Sequence, residues 1–204
     1  MLARQAEARP GPFTFDEYMA WEQEQEEKWE LVDGYAVRRS ERWSFDPVTG
    51  MAGATYAHNR IMTNLIVALA IRLRGGRCEV LPSELKTRSP TGSVRFPDVT
   101  VQCGKSAGSD LVSSEPRILI EVLSKSNTLR QQMKLLTDYQ AITTVQQILF
   151  IEQYRPFALV WTRDALGWAL GEIEGLEADL PLPSVHQSLP MREVYAGLTF
   201  DEAA

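Results

Sequence analysis

Apolar residues along this chain of 204 residues follow two rhythms, and each marks a kind of element. Ile61, Leu65, Leu69 and Leu73 recur every fourth residue, which predicts a helix over residues 57–74 stopped by Gly75-Gly76. Thr14 followed by Glu17 has the form of a capping box and predicts a helix running towards Glu27, with Phe15, Tyr18 and Trp21 on one face. A third helix is expected over residues 128–141, its stripe formed by Leu129, Met133, Leu136 and Gln140. Short apolar or alternating runs predict strands. They fall at 29–38 (broken by a turn at Asp33-Gly34), 77–88, 94–103, 117–123, 147–153 and 157–162, with Tyr154-Arg155-Pro156 turning between the last two.

Residues 41–56 read as irregular, and Pro10-Gly11-Pro12 makes 1–12 a flexible tail. Residues 175–204, with Pro181, Pro183 and Pro190, read as a tail-like extension of low structural content ending in a short helix near 191–196. No repeat interrupts this order, so residues 13–204 form one expected domain. Its fold class is α/β, a mixed central sheet flanked by helices.

Composition narrows the setting. A hydrophobic fraction of 44% supports a real core, no run of 18 apolar residues predicts a membrane span, and the amino terminus lacks the apolar stretch of a signal peptide. Cys78 and Cys103 have no metal-ligand spacing and are expected as buried thiols. A soluble, cytoplasmic protein is the expectation. The net charge of −6 does not advertise nucleic-acid binding, but its distribution is uneven. Residues 16–33 hold eight acids against Lys28, and 164–204 hold eight against Arg192. Residues 60–95 carry seven bases (Arg60, Arg72, Arg74, Arg77, Lys86, Arg88 and Arg95) against Glu79 and Glu84. A basic centre of this kind is either a positive face beside a site or part of an ordinary mixed surface.

The candidate chemistry lies in two strands. Arg95-Phe96-Pro97-Asp98-Val99 and Ile118-Leu119-Ile120-Glu121-Val122-Leu123 are short apolar runs, each carrying one carboxylate. Side by side they would aim Asp98 and Glu121 at one point, where Mg²⁺ is typically held by one or two carboxylates with water and substrate phosphate. The alternative is that each acid faces solvent at a strand end.

Taken in order, several segments resemble the Uma2 family (DUF820), a group of endonucleases in the PD-(D/E)XK nuclease superfamily. They are Trp29-Glu30-Leu31-Val32-Asp33-Gly34, Ala57-His58-Asn59-Arg60-Ile61, Phe96-Pro97-Asp98-Val99, Ile120-Glu121-Val122-Leu123-Ser124, Tyr139-Gln140-Ala141-Ile142 and Ile148-Leu149-Phe150-Ile151-Glu152-Gln153. The resemblance covers roughly residues 13–170 and implies a restriction-endonuclease-like core. It gives Asp98 the role of first motif acid, Glu121 the second, and Glu30 a third near the same Mg²⁺ or Mn²⁺. It also implies DNA as substrate, and nucleases of this fold often form homodimers. The apolar segment 180–189 is a candidate for pairing between subunits.

The sequence departs from the family at the lysine. Position 123 is Leu, and on the following helix the place four residues before Tyr139 is Leu135. Gln131 replaces an expected acid, and Lys125 stands where proline is usual. Lys134, one residue or about 100° round the helix from the expected place, and Lys86, two residues after Glu84, are the two candidate catalytic lysines. One of them is expected within roughly 4–6 Å of a motif carboxylate; otherwise each is a surface charge.

His58 and Arg60 open the long helix and, with Arg95, are candidate phosphate contacts, the alternative for His58 being capping and packing. Trp43 and Tyr56 are either base-stacking or packing aromatics. Gly104-Lys105-Ser106 lacks the glycine pattern of a phosphate loop. The leading expectation is a metal-dependent endonuclease. The alternatives are a catalytically lapsed nuclease fold that binds or assembles, and a hydrolase of small phosphorylated substrates.

Overall fold

The computed structural model describes residues 10–39, 54–124 and 127–200. Helix α1 (Phe15–Glu22) begins at the expected capping box, the Thr14 hydroxyl accepting the Glu17 N–H while the Glu17 carboxylate accepts the Thr14 N–H. It ends at Glu22, short of Glu27. Strands β1 (Trp29–Val32) and β2 (Tyr35–Arg38) form a hairpin closed by Asp33 (φ 51°) and Gly34 (φ 84°). Two successive positive φ values match the twist of a two-residue hairpin. The segment before α1 is tied to this hairpin, because the Pro10 carbonyl accepts the Ala36 N–H and Phe13 N–H donates to Gly34. Residues 10–12 are therefore held in place, and the rest of the expected tail lies outside the described residues.

Helix α2 (Tyr56–Leu73) carries Ile61, Leu65, Leu69 and Leu73 inward as the spacing predicts. The two expected strands that follow are each divided. Residues 77–88 become β3 (Glu79–Pro82) and β4 (Thr87–Arg88), while 94–103 becomes β5 (Val94–Arg95) and β6 (Val99–Gln102). The breaks send the chain between two sheets. One is antiparallel, in the order β2-β1-β5-β4, and packs Leu31 and Val94 against Tyr18 of α1. The other has the order β10-β9-β8-β7-β6-β3 and contains β7 (Pro116–Leu123), β8 (Gln147–Glu152), β9 (Phe157–Asp164) and β10 (Gly167–Glu174). Only β7 and β8 are parallel, and α3 (Leu129–Gln140) supplies the crossover such a pair needs. The fold is mixed α/β, with a mixed central sheet between helices. No helix among the described residues is long and apolar enough to cross a membrane.

Several elements differ from expectation. Residues 163–174, given no element from sequence, extend β9 and form the edge strand β10. On α3 the buried residues are Leu135, Leu136, Asp138 and Tyr139, whereas Leu129 and Met133 are 73% and 53% exposed. The expected stripe missed this face because one of its inward residues is a carboxylate. The supposed tail folds as a hairpin, β11 (Asp179–Leu182) with β12 (Gln187–Pro190), followed by α4 (Met191–Val194). Its Leu180, Leu182 and Leu189 are fully buried in the core beneath α2. The segment read as a candidate subunit contact is therefore interior to the chain. Cys78 and Cys103 form a disulfide instead of two thiols. The antiparallel register that sets Glu79 opposite Gln102 brings them face to face, with a Cα–Cα distance of 3.9 Å.

Candidate functional site

Asp98 and Glu121 come to neighbouring positions because β6 and β7 pair. Val99 pairs with Ile120, and continuing that antiparallel register sets Asp98 across from Glu121. Asp98 and Glu121 are each 1% exposed, so neither is a solvent-facing acid at a strand end. Alternation along β7 sends Ile118, Ile120 and Val122 into the core beneath α2, and Leu119 towards α3. Glu121 shares the Leu119 face, where the Tyr139 hydroxyl of α3 donates to its Oε1 at 2.5 Å.

Asp98 stands where the chain leaves the small sheet for the large one, after Pro97. Its Oδ2 accepts the Val122 N–H at 2.8 Å and lies 3.2 Å from His58 Nε2. His58 is set at the start of α2, where the capping Thr55 hydroxyl accepts its N–H. The same hydroxyl donates to the side-chain carbonyl of the buried Gln153, just beyond β8. The other oxygen of Asp98, Oδ1, is buried without a hydrogen-bond donor among the described residues, and Arg39 Nη2 lies 3.8 Å from it. Arg39 directly follows β2 and had no sequence signal. Its charge serves a residue distant in the chain, and apolar periodicity carries no such information.

Glu30, Arg95 and Lys134 belong to a second buried cluster. Glu30 Oε1 accepts the Phe96 N–H at 3.3 Å, and its Oε2 pairs with Arg95 Nη1 at 3.0 Å. The other edge of Arg95 grips Asp138 Oδ2 from Nε at 2.9 Å and from Nη2 at 2.5 Å. Thr91 and Lys134 donate to Asp138 Oδ1 at 2.7 and 3.1 Å, and Lys134 also reaches Asp33 Oδ1 at 2.5 Å. Burial pushes the Asp138 carboxyl upward, but the Arg95 charge and the hydrogen bonds from Arg95, Thr91 and Lys134 outweigh it and hold the pKa below the ordinary aspartate value. Lys134 is the mirror case. Burial pulls its pKa down, and the bonds to Asp33 and Asp138 raise it above the lysine norm.

The remaining expected contacts have other partners. The Lys86 ammonium pairs with Glu22 at 3.0 Å and lies 5.2 Å from the Phe96 ring centre. Arg60 donates to the Ala196 carbonyl at 2.9 Å, fastening α2 to the turn after α4. Arg95, 6% exposed, is consumed by Glu30 and Asp138. Arg60 and Arg95, expected as phosphate contacts, thus serve as structural ties, whereas His58 reaches Asp98. Both candidate lysines are bound by carboxylates other than the motif pair. Tyr56 is 73% exposed, and Trp43 lies outside the described residues.

The donor set fits a hard cation in a limited way. Among the described residues no group of three or more His, Cys, Asp or Glu side chains gathers as a metal site, so these residues offer no complete cage. Mg²⁺ rarely needs one, since water and substrate phosphate commonly complete its octahedron. Asp98 Oδ1, an acceptor buried without a donor, is the kind of atom a cation or ordered water satisfies.

Comparison with known proteins agrees with the fold. The sequence pattern of the Uma2 family, described as "Putative restriction endonuclease", matches residues 15–192. The uncharacterized protein slr1290 of Synechocystis sp. is 26% identical over 203 residues, covering 98% of this chain and all of that protein. A second Synechocystis protein, the uncharacterized sll1609, is 26% identical over 175 residues, covering 82% and 90% of the two chains. Among solved structures, a "putative nuclease belonging to DUF820" from Anabaena variabilis superimposes with a TM-score of 0.69 at 16% identity, over 91% of this chain and 98% of that one.

Proposed function

Since the chain belongs to the Uma2 family, we propose that it is a metal-dependent endonuclease hydrolysing phosphodiester bonds in DNA. The observation that carries this reading is the pair of almost fully buried acids, Asp98 and Glu121, set opposite each other by the β6–β7 register, with Asp98 Oδ1 lacking a donor among the described residues. Buried carboxylates are costly unless paired or bound to a cation. Asp98 and Glu121 would hold Mg²⁺ or Mn²⁺, which supplies an activated water and charge for the phosphate oxygens.

The chain's own groups prepare that arrangement. The Val122 N–H and His58 fix one oxygen of Asp98, and the other, without a donor among the described residues, would be available to the metal. Tyr139 orients Glu121. Glu30 is drawn off by Arg95 and the Phe96 N–H and sets the Asp98 segment in place from the small sheet.

Supercoiled plasmid incubated with Mn²⁺ or Mg²⁺ should be nicked, and excess EDTA should stop it. Asp98→Asn keeps an acceptor for the Val122 N–H while removing the charge. It should fold normally and lose at least about 100-fold in rate, the scale of removing a principal electrostatic group. Nicking that survives Asp98→Asn would sink the reading.

A second reading, a lapsed nuclease fold acting as a binding or assembly module, is favoured by one observation. Leu135, at the family's usual lysine position, is packed in the core at 4% exposure. Mn²⁺ titration by calorimetry separates the two: a competent carboxylate pair gives saturable binding abolished in Asp98→Asn, and a lapsed one gives none.

A further inference from the structure

If the site is a nuclease, a cation must face the phosphate, and the lysines suggested by the sequence are engaged elsewhere. We propose, resting on the nuclease reading, that Arg39 takes this role and binds the scissile phosphate beside Asp98. Its guanidinium stands 3.8 Å from Asp98 Oδ1, beyond hydrogen-bond length, so charge is matched while the forked donors are not used up on the carboxylate. Nη1 donates to the Ser83 carbonyl at 3.3 Å, and Nε is buried with no acceptor among the described residues. The Phe96 ring, 5.4 Å from the guanidinium carbon, supports its face. The Arg39 backbone N–H is anchored to the Lys28 carbonyl at 2.9 Å.

A cationic group held from both ends, with an unsatisfied donor and 13% of its side chain still accessible, is prepared to accept an anion. Arginine's planar fork suits phosphate oxygens better than an ammonium does. Among the described residues, the candidate cations named from the sequence are spent: Arg95 on Glu30 and Asp138, Lys134 on Asp33 and Asp138, and Lys86 on Glu22. Glu84 lies near enough to sense the Arg39 charge, but it forms its own pair with Lys28. An arginine here also explains how Leu135 can occupy a core position without emptying the site of positive charge.

The role has a signature that a structural one lacks. A fixed positive charge beside Asp98 opposes a divalent cation there, so removing it should help metal binding while harming catalysis. The test compares wild type, Arg39→Ala and Arg39→Lys in three measurements. These are plasmid nicking in Mn²⁺, Mn²⁺ affinity by calorimetry, and binding of a fluorescein-labelled duplex by anisotropy in Ca²⁺.

Arg39→Ala should nick about 100-fold more slowly and bind the duplex about 10-fold more weakly. It should bind Mn²⁺ at least as tightly as wild type. Arg39→Lys keeps the charge without the fork and should fall between the two. It also covers the case in which the alanine variant does not fold. Nicking within about threefold of wild type, or Mn²⁺ affinity falling in step with the rate, overturns the proposal; the second result assigns Arg39 to holding Asp98 in shape. If wild type binds duplex without cutting it, the nuclease reading fails and Arg39 is judged on the binding ratio alone, equal affinities overturning it. If wild type neither cuts nor binds, both readings fall.

Discussion

Asp138 is fully buried and polar, and it accounts for much of what surrounds it. Arg95 and Lys134 both terminate on its carboxylate, and the Ser89 hydroxyl donates to its backbone carbonyl at 2.7 Å. Breaking a buried ion pair by removing one partner strands the other charge, so Asp138→Ala should cost about 3–5 kcal/mol in urea unfolding. The pH dependence follows from the lowered pKa. An aspartate whose folded value lies below its unfolded value of about 3.9 stabilises the native state above that unfolded value. It loses the contribution as pH falls through the folded one. The stability gap between wild type and Asp138→Asn should therefore be full at neutral pH and close as pH drops below about 4. Lys134, with its pKa raised, behaves oppositely, its contribution being present below lysine's usual pKa and lost as pH rises past the raised value.

Among the elements, the β11–β12 hairpin changes the picture most. It closes the core beneath α2 with Leu180, Leu182 and Leu189, joined by Met191 and Val194 from α4. Leu189→Ala should cost about 2–5 kcal/mol, the range for deleting a fully buried leucine, measured by the shift in urea midpoint. Its sequence did carry a signal, since Leu180 and Leu182 alternate as strand residues do, but the neighbouring prolines suggested a chain without structure. Helix α2 was legible because, beyond His58 in its first turn, its inward face is apolar. Helix α3 was legible in its bounds but not in its inward face, because Asp138 occupies an inward position and its partner Arg95 lies on a distant strand. β10 pairs on one side only, at the sheet edge, and its largely exposed residues gave no run of apolar positions to read.

At the scale of the molecule, two sheets are joined through the segment carrying Asp98, and the large one is clamped by a covalent tie at β3. The Cys78–Cys103 disulfide closes a loop of 25 residues, for which chain entropy alone gives about 3 kcal/mol. Urea unfolding of the Cys78→Ser, Cys103→Ser double variant should show a loss of about that size, and dithiothreitol should lower the wild-type midpoint while leaving the variant's unchanged. The pairing was invisible in sequence because two cysteines without motif spacing specify no register; it emerges only once β3 lies against β6. The neighbouring placement of Asp98 and Glu121 was legible from their segments, since each sits in a distinct apolar run. The site's cations were not, because long side chains choose partners across the fold.

The hydrogen bond from the Val122 N–H to Asp98 bears on how the family's history can be read. Asp98 fastens one motif strand to the other whether or not any bond is cut. An acidic residue here can thus outlive catalysis, retained by selection for a folded chain. In a lineage released from cleavage, asparagine is the tolerated replacement, as it keeps the acceptor and discards the charge, whereas alanine would orphan a buried donor. Aspartate at this position therefore meets a structural need besides the one proposed for the metal, and asparagine would be strong testimony to lost activity.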